Sequence, residues 1–438
     1  MNKRLDARRK GGGLKLKLSY GRSGLQCELP GERVMKVLRS RWPEPLRRPA
    51  AAVRNALGAP VGASPLAEAA KGAGSVCIVV SDVTRPVPYR VLLPPLLEAL
   101  ENEAGIPAGN ISLLVATGLH RPCSPDELEE MLGKSTVRRY AVHNHDARDE
   151  AAHMEVGTTA RGTRVQIDRR YMDADFRVTT ALVEPHFMAG FSGGRKALCP
   201  GISSAGSIGR FHAARLLSMD GVETGRLEGN PVHAELLEAA LMAGADFSVN
   251  VTLDGRRRLT GVFAGSLEAA HAAGCRACAD SLRDALPAPV DVVLTTGSVY
   301  PLDATFYQAV KGIVAAAPVV KLGGTIIIAA ECSEGMGGAE FTELAKRFGS
   351  PEVFLSRILA ADDFVVDQWQ LQMLCKALEK ADVVLVSGGA ADEAAEAVGI
   401  RTALSVETAL AEALEKSGPD ACAAVIPEGP YVIAACGM

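Results

Sequence analysis

Short, nearly uninterrupted apolar runs recur along this chain, with amphipathic stretches between them. SVCIVVSD (75–82), ISLLVATG (111–118) and FRVTTALV (176–183) each read as a buried strand. A strand covered on both faces carries apolar residues continuously instead of alternating them with polar ones. PYRVLLPPLLEALENE (88–103) reads as a helix interrupted by Pro94 and Pro95, and Ser124-Pro125-Asp126-Glu127 opens another. That opening has serine as N-cap, proline at the first helical position and glutamate three residues after the cap. A second series begins near residue 290, with strands predicted at 289–297, 323–330 and 381–388 and helices at 304–317 and 368–381. LEAAHAAGCRACADSLRDALPAP (267–289) reads as a helix connecting the two series. Ahead of both, LKLKLSYGRSGLQCELP predicts two strands around a tight turn, preceded by a loose tail over residues 1–13. CAAVIPEGPYVI (422–433) is a final strand that the pattern assigns to neither series.

Buried strands alternating with helices imply an α/β fold: two α/β lobes with largely parallel sheets and an active-site cleft between them. The expected division is 1–275 for an N-terminal, cofactor-binding and catalytic lobe, which residues 422–438 could join. Residues 285–420 form the expected C-terminal, substrate-contacting lobe. The length of 438 residues agrees with about two or three domains at roughly 150 residues each.

Charge narrows the partners. Lys and Arg number 47 against 51 Asp and Glu, a net −4, which does not supply the basic excess a general nucleic-acid binder needs. Uncharged runs such as Leu322 to Ala330 are too short to span a membrane. The basic N-terminus lacks the apolar core of a signal peptide, so a soluble cytoplasmic protein is expected. Cys77, Cys199 and Cys422 sit in apolar settings and read as reduced, buried thiols among the ten cysteines. Only Cys275 and Cys278 show C-x-x-C spacing. His271 could add a third ligand on their helical face, but a small-residue packing face explains the same pattern.

Ligands of open parallel sheets bind beyond the carboxyl ends of the strands. Three of the predicted strands deliver unusual polar groups there: Asp82-Val83-Thr84-Arg85 after the first, Thr117 to Arg121 after the second, and Glu184-Pro185-His186 after the third. Singly, Asp82 and Arg85 could be a surface ion pair, His120 and His186 structural histidines, and Gly193-Gly194 an ordinary turn. Their convergence on one edge points to a site. In Ser192-Gly193-Gly194-Arg195-Lys196 the glycine amides could face a phosphate. The fixed charge of Arg195 would favour a neutral, acylatable Lys196 amine. His212, four residues after Ile208, is either packed on its helix or aimed inward as a ligand.

On these residues the chain resembles the lactate racemase family. The matching pieces are SDVTRPVP, ATGLHRP, Asn144 to Asp146, EPHFMAGFSGGRKALCPG, GRFHAAR, TFYQAVKG, Trp369 and PEGPY, with His186, Lys196 and His212 spaced as H-x9-K-x15-H. The resemblance implies a nickel-pincer nucleotide, a pyridinium mononucleotide whose two sulfur arms bind nickel. It makes Lys196 the covalent attachment point, His212 a nickel ligand and Asp82, Val83, Thr84 and Arg85 cofactor contacts. His120 and His186 become the acid/base pair, Gln308 and Lys311 the substrate-binding pair, with Arg85, Tyr307 and Trp369 beside the substrate. A cofactor-synthesis machinery is implied as a partner, and a 2-hydroxy acid as substrate.

Chemical logic agrees with that assignment. Pulling the α-proton of a 2-hydroxy acid is difficult beside a carboxylate, whereas loss of hydride and hydroxyl proton gives a planar keto acid that can be reduced on either face. Two imidazoles, one for each enantiomer, suit that chemistry near neutral pH. Two other functions compete: an NAD-dependent 2-hydroxy acid dehydrogenase, and a non-enzymatic protein binding a small anion. No G-x-G-x-x-G lies between a strand and a helix with an acidic residue at the right distance, which speaks against the first. The second needs neither both histidines nor Lys196.

Overall fold

The computed structural model describes residues 12–361 and 364–437, so most of the expected loose tail lies outside the described residues. The chain divides into two compact units, one of residues 42–281 and one joining the residues up to 41 with those from 282 onward.

In the 42–281 unit, six strands form one sheet in the order Leu259–Gly265, Phe247–Leu253, Phe176–Leu182, Val76–Ser81, Ile111–Ala116, Ala141–Asn144. Every neighbouring pair is parallel except the first, an antiparallel edge. The three strands read from the pattern are therefore direct neighbours, and their carboxyl ends share one edge. Helices cover the sheet because its residues, including Val76, Ile78 and Val80, need apolar partners on both faces. Tyr89–Glu98 supplies some of them through Leu92, Leu93 and Leu96. Pro94 and Pro95 lie inside this helix without ending it, and Ala99–Glu103 continues it with a wider turn. The predicted capping box is present: Ser124 Oγ accepts from Glu127 N (3.3 Å), and Glu127 Oε2 accepts from Ser124 N (2.8 Å). Such a cap contributes about 1 kcal/mol.

The second unit has a six-stranded sheet in the order Arg401–Thr402, Ala381–Val386, Val320–Ala329, Val290–Thr296, Ala423–Val425, Val34–Val37, with all pairs parallel. The expected hairpin pairs Gly13–Leu18 with Leu25–Pro30 and packs Leu16, Leu18, Cys27 and Leu29 into this unit's core. The expected lobe boundaries are thus corrected at both ends. Residues 34–37 pair with 423–425, and Ile433–Cys436 pairs with Arg283–Leu286, so the N-terminal segment and the final strands belong to the later unit. The expected helix 267–289 stops at Leu282 for the same reason, because Arg283–Leu286 is taken into a strand. Local patterning cannot reveal a partner that lies about 150 residues or more away in sequence. No helix among the described residues is long and apolar enough to cross a membrane.

Candidate active site

The site builds up from the carboxyl edge of the first sheet. Beyond Ser81, the Asp82 side chain is buried, with 4% of the residue exposed. One carboxylate oxygen accepts from Thr84 Oγ1 (2.7 Å), and the other is 2.7 Å from His120 Nδ1. His120 is exposed on the tight turn that follows the neighbouring strand, where His120 N donates to Thr117 O (2.9 Å). Because a carboxylate accepts, Nδ1 carries the proton and Nε2 presents its lone pair. Burial pushes the Asp82 carboxyl up, but His120 and Thr84, with Arg85, outweigh it and hold it below the ordinary carboxylate range. Arg85 pairs with Glu184 at 3.4 Å, joining the loops after the first and third strands.

His186 lies on a two-residue ladder in which Pro185–His186 pairs with Gly190–Phe191. Its Nδ1 accepts from the Met188 and Ala189 amides (3.2 Å each). Gly190 has φ +76, and a Cβ there would lie 2.0 Å from Arg226 O, so glycine is required by both conformation and space. Gly193 and Gly194 then carry the chain into the 3-10 turn Gly194–Ala197, which holds Lys196 half-buried.

One expectation for this loop is corrected. Gly194 N–H faces no open phosphate site, since it donates to Asn250 Oδ1 (2.8 Å). The Arg195 side chain lies in the core. It is fully buried, and its guanidinium donates to Ala189 O (2.8 Å) and Phe191 O (3.1 Å) and lies 2.8 Å from His271 Nε2. Asn250 is absent from the sequence-based candidates because FSVNVTL is not among the predicted strands. A polar residue centred in that apolar run is the available signal.

His212 directly follows the helix Ala205–Phe211, and its Nδ1 donates to Ile208 O (2.9 Å). Burial, then the nearby Lys196 charge, push this imidazole down to about 4, so it is neutral at physiological pH. Lys196 and His212 are therefore near enough to sense each other. Among the described residues, no group of three or more His, Cys, Asp or Glu side chains could hold a metal ion. Cys275 and Cys278 are buried thiols, and all ten cysteines are free.

Asn144-His145-Asp146 has a structural role here. Asn144 brackets the backbone of Cys123, while buried His145 bridges Asp168 Oδ2 (2.9 Å) and Ser203 O (3.0 Å). Asp168 also accepts from Arg170. Burial raises the Asp168 carboxyl, but His145 and Arg170 outweigh that effect and lower it. Asp168→Ala is expected to destabilise the fold by about 3–5 kcal/mol, the scale for breaking a buried ion pair. An unchanged denaturant midpoint would contradict this. The carboxyl's contribution is complete above pH ~4, its unfolded value, and fades as pH falls through the lower folded value.

In the second unit, Thr305 caps the helix Phe306–Ala316. Gln308 and Lys311 share one face of it, with Lys311 Nζ donating to Gln308 Oε1 (2.5 Å). Tyr307 meets the Phe341 ring edge-on at 5.0 Å, and Trp369 stacks on Phe364 at 5.6 Å. The Gln370 side chain donates to Tyr307 O, which ties the Gln368–Leu378 helix to this one.

Comparison with known proteins also splits the chain between residues 225 and 286, although the first match begins within the N-terminal segment that belongs to the later unit. A family model described as the lactate racemase N-terminal domain matches residues 20–225, and one described as the lactate racemase C-terminal domain matches residues 286–434. Lactate racemase from Thermoanaerobacterium thermosaccharolyticum is 34% identical over 95% of this chain and 98% of its own length. Lactate racemase from Lactiplantibacillus plantarum is 34% identical over 87% of this chain and 90% of its own. The structure of the Thermoanaerobacterium lactate racemase apoprotein superposes with a TM-score of 0.91 at 34% identity, covering 96% of this chain and all of that one. A Thermotoga maritima protein, 19% identical, shares the fold at a TM-score of 0.65, with 89% of this chain and 98% of that one covered. Two domain matches and relatives aligned along nearly the whole chain show that this protein belongs to the lactate racemase family and is an isomerase.

Proposed function

We propose that this protein racemises or epimerises a 2-hydroxy acid, lactate or a close relative, with a nickel-pincer nucleotide attached at Lys196 and His212 as a nickel ligand. The observation that carries this reading is the edge of the first sheet. There Asp82-oriented His120 and His186 stand on the loops after the two strands that flank Val76–Ser81, and the chain running on from His186 carries Lys196 to where its charge reaches His212. His212 suits the group. Its Nδ1 proton is engaged by Ile208 O, which leaves the ligating lone pair on Nε2 of a neutral ring. A single imidazole supplied by the protein fits square-planar nickel whose other donors come from a sulfur-bearing organic group.

When bound, the nucleotide supplies a carbon that accepts and returns hydride. His120 exchanges the hydroxyl proton of one enantiomer at Nε2 while Asp82 holds its Nδ1, and His186 serves the other enantiomer through Nδ1, the lone-pair nitrogen, once that atom is released from the Met188 and Ala189 amides. Arg85, positioned by Glu184, stabilises negative charge on the reacting oxygen. The segment Asp82-Val83-Thr84-Arg85 contacts the nucleotide. Gln308 and Lys311 hold the substrate carboxylate, with Tyr307 and Trp369 as walls. We place the protein in the cytoplasm, in keeping with ten free thiols, and make its cofactor dependent on a dedicated synthesis machinery.

The test is polarimetry across a panel of single-enantiomer 2-hydroxy acids, using protein produced together with that machinery. At least one is expected to racemise, and loss of optical activity from none of them would end the reading. Lys311→Ala is expected to weaken substrate binding by about 1.5–3 kcal/mol through loss of a charge-assisted bond. The covalent cofactor increment should stay unchanged. Undiminished affinity in titration of the loaded variant would move the carboxylate site off this helix.

A further inference from the structure

The buried contact of Arg195 with His271 belongs to neither the acid/base pair nor the metal ligand. Arg195 is fully buried, and among the described residues no carboxylate pairs with it. Its Nη2 donates to the carbonyls of Ala189 and Phe191, which lie in the segment carrying His186. Its backbone belongs to the turn carrying Lys196. A single guanidinium therefore ties both functional segments together, and its Nη1 needs an acceptor from elsewhere in the fold.

His271, on the helix Leu267–Leu282, provides that acceptor. Its Nε2 also lies 3.0 Å from Ser192 O and 3.2 Å from Cys275 Sγ. A guanidinium can only donate, and a charge-assisted bond outweighs a neutral one, so the Nε2 lone pair faces Arg195. Burial, reinforced by Arg195 itself, holds this imidazole far below its ordinary range and so keeps it uncharged. Gly194 makes the approach possible, since a Cβ there would lie 2.6 Å from the His271 ring. On the helix side His233 stacks on His271 at 6.3 Å. With its nitrogen committed to a cation, His271 is not the third ligand of a C-x-x-C metal site.

We propose that His271 is a positioning residue: by fixing the Arg195 guanidinium, it holds the His186 hairpin and the Lys196 turn in one shared geometry. The consequence for cofactor attachment rests on the reading of Lys196 given above, whereas the shared geometry does not.

Two measurements test it on the full-length chain. Amide hydrogen exchange of the cofactor-free protein reports the geometry at Met188 and Ala189 and at Gly194 to Lys196. His271→Leu keeps the bulk and removes the acceptor. It is expected to speed exchange at both segments together by at least about tenfold, the lower bound for losing a bond to a charged group. His271→Gln, whose carboxamide can accept from Arg195 and donate to Ser192 O, is expected to restore most of the protection. Intact mass of protein made with the cofactor machinery should show the covalent fraction falling in the leucine variant and recovering in the glutamine variant. A folded leucine variant with wild-type exchange at either segment overturns the proposal. If leucine prevents folding, Arg195→Lys carries the same test, because an ammonium cannot span all three acceptors, and wild-type exchange there overturns it equally. Failure of the attachment reading looks different: the mass increment would persist in Lys196→Ala, whatever the exchange pattern.

Discussion

On the proposed reading, Lys196→Ala is expected to abolish the covalent mass increment of protein made with the cofactor machinery, and His212→Ala to lose most of the nickel, which is expected at about one per unsubstituted chain, as for a single site. Both follow from the local structure. Lys196 sits on a turn set by Gly193, Gly194 and the buried Arg195, so its amine occupies a defined place and does not sweep through solvent. Because His212 is neutral near physiological pH, it needs no deprotonation before it can ligate. Alanine at 212 removes the side-chain bond to Ile208 O, worth about 1 kcal/mol, and the fold should survive the change. Metal analysis beside intact mass separates the two roles. Nickel at the wild-type level in His212→Ala sinks the ligand assignment, and an unchanged increment in Lys196→Ala places the attachment elsewhere.

Either His120→Ala or His186→Ala should suppress net racemisation by about 10²–10⁴-fold, the usual scale for a positioned acid or base. Each variant should keep its nickel and its covalent increment, because neither imidazole is assigned to the cofactor. The two histidines are held differently, and this sharpens the expectation. His120 Nδ1 is tied to a buried carboxylate, whereas His186 Nδ1 accepts from two backbone amides. Their replacements should therefore differ in which enantiomer suffers more. Rapid mixing of each variant with each pure enantiomer, followed by quenching and keto-acid assay, reads this directly. Identical failure of both variants with both enantiomers, at full nickel content, would leave one histidine as a structural residue. Asp82→Asn should move toward the His120→Ala behaviour, since an amide cannot hold the imidazole as a carboxylate does.

Much of the framework is legible in the order of residues along the chain. The central strands stand out because a parallel strand buried on both faces must be continuously apolar, and each of the six central runs overlaps an observed strand. Edge elements do not stand out. Val34–Val37, Ala141–Asn144 and Arg401–Thr402 are short and partly exposed, so their composition resembles that of loops. Phe247–Leu253 is hidden by Asn250, whose side chain serves the Gly194 amide. The candidate site is legible as polar groups at the ends of three strands, because that position is set by chain order within each strand–loop unit. The direction of Arg195 is not. A charged residue between Gly194 and Lys196 reads as part of the functional surface, and only the neighbouring carbonyls and His271 turn it into the core.

The residues themselves determined where the central buried strands lie, which helix is capped, and which loops carry imidazole, amine and carboxylate groups. Periodicity, propensity and capping act over a few residues, so a single sequence displays them. Tertiary structure alone decided that Asp82 orients His120, 38 positions later, and that Arg85 meets Glu184. It also assigned residues 12–41 to the unit beginning at 282, and brought His271 against a loop 76 residues earlier. Those choices follow from which faces must be buried and which backbone groups must find partners once the sheets close, and burial of that kind belongs to the whole chain rather than to any stretch of it.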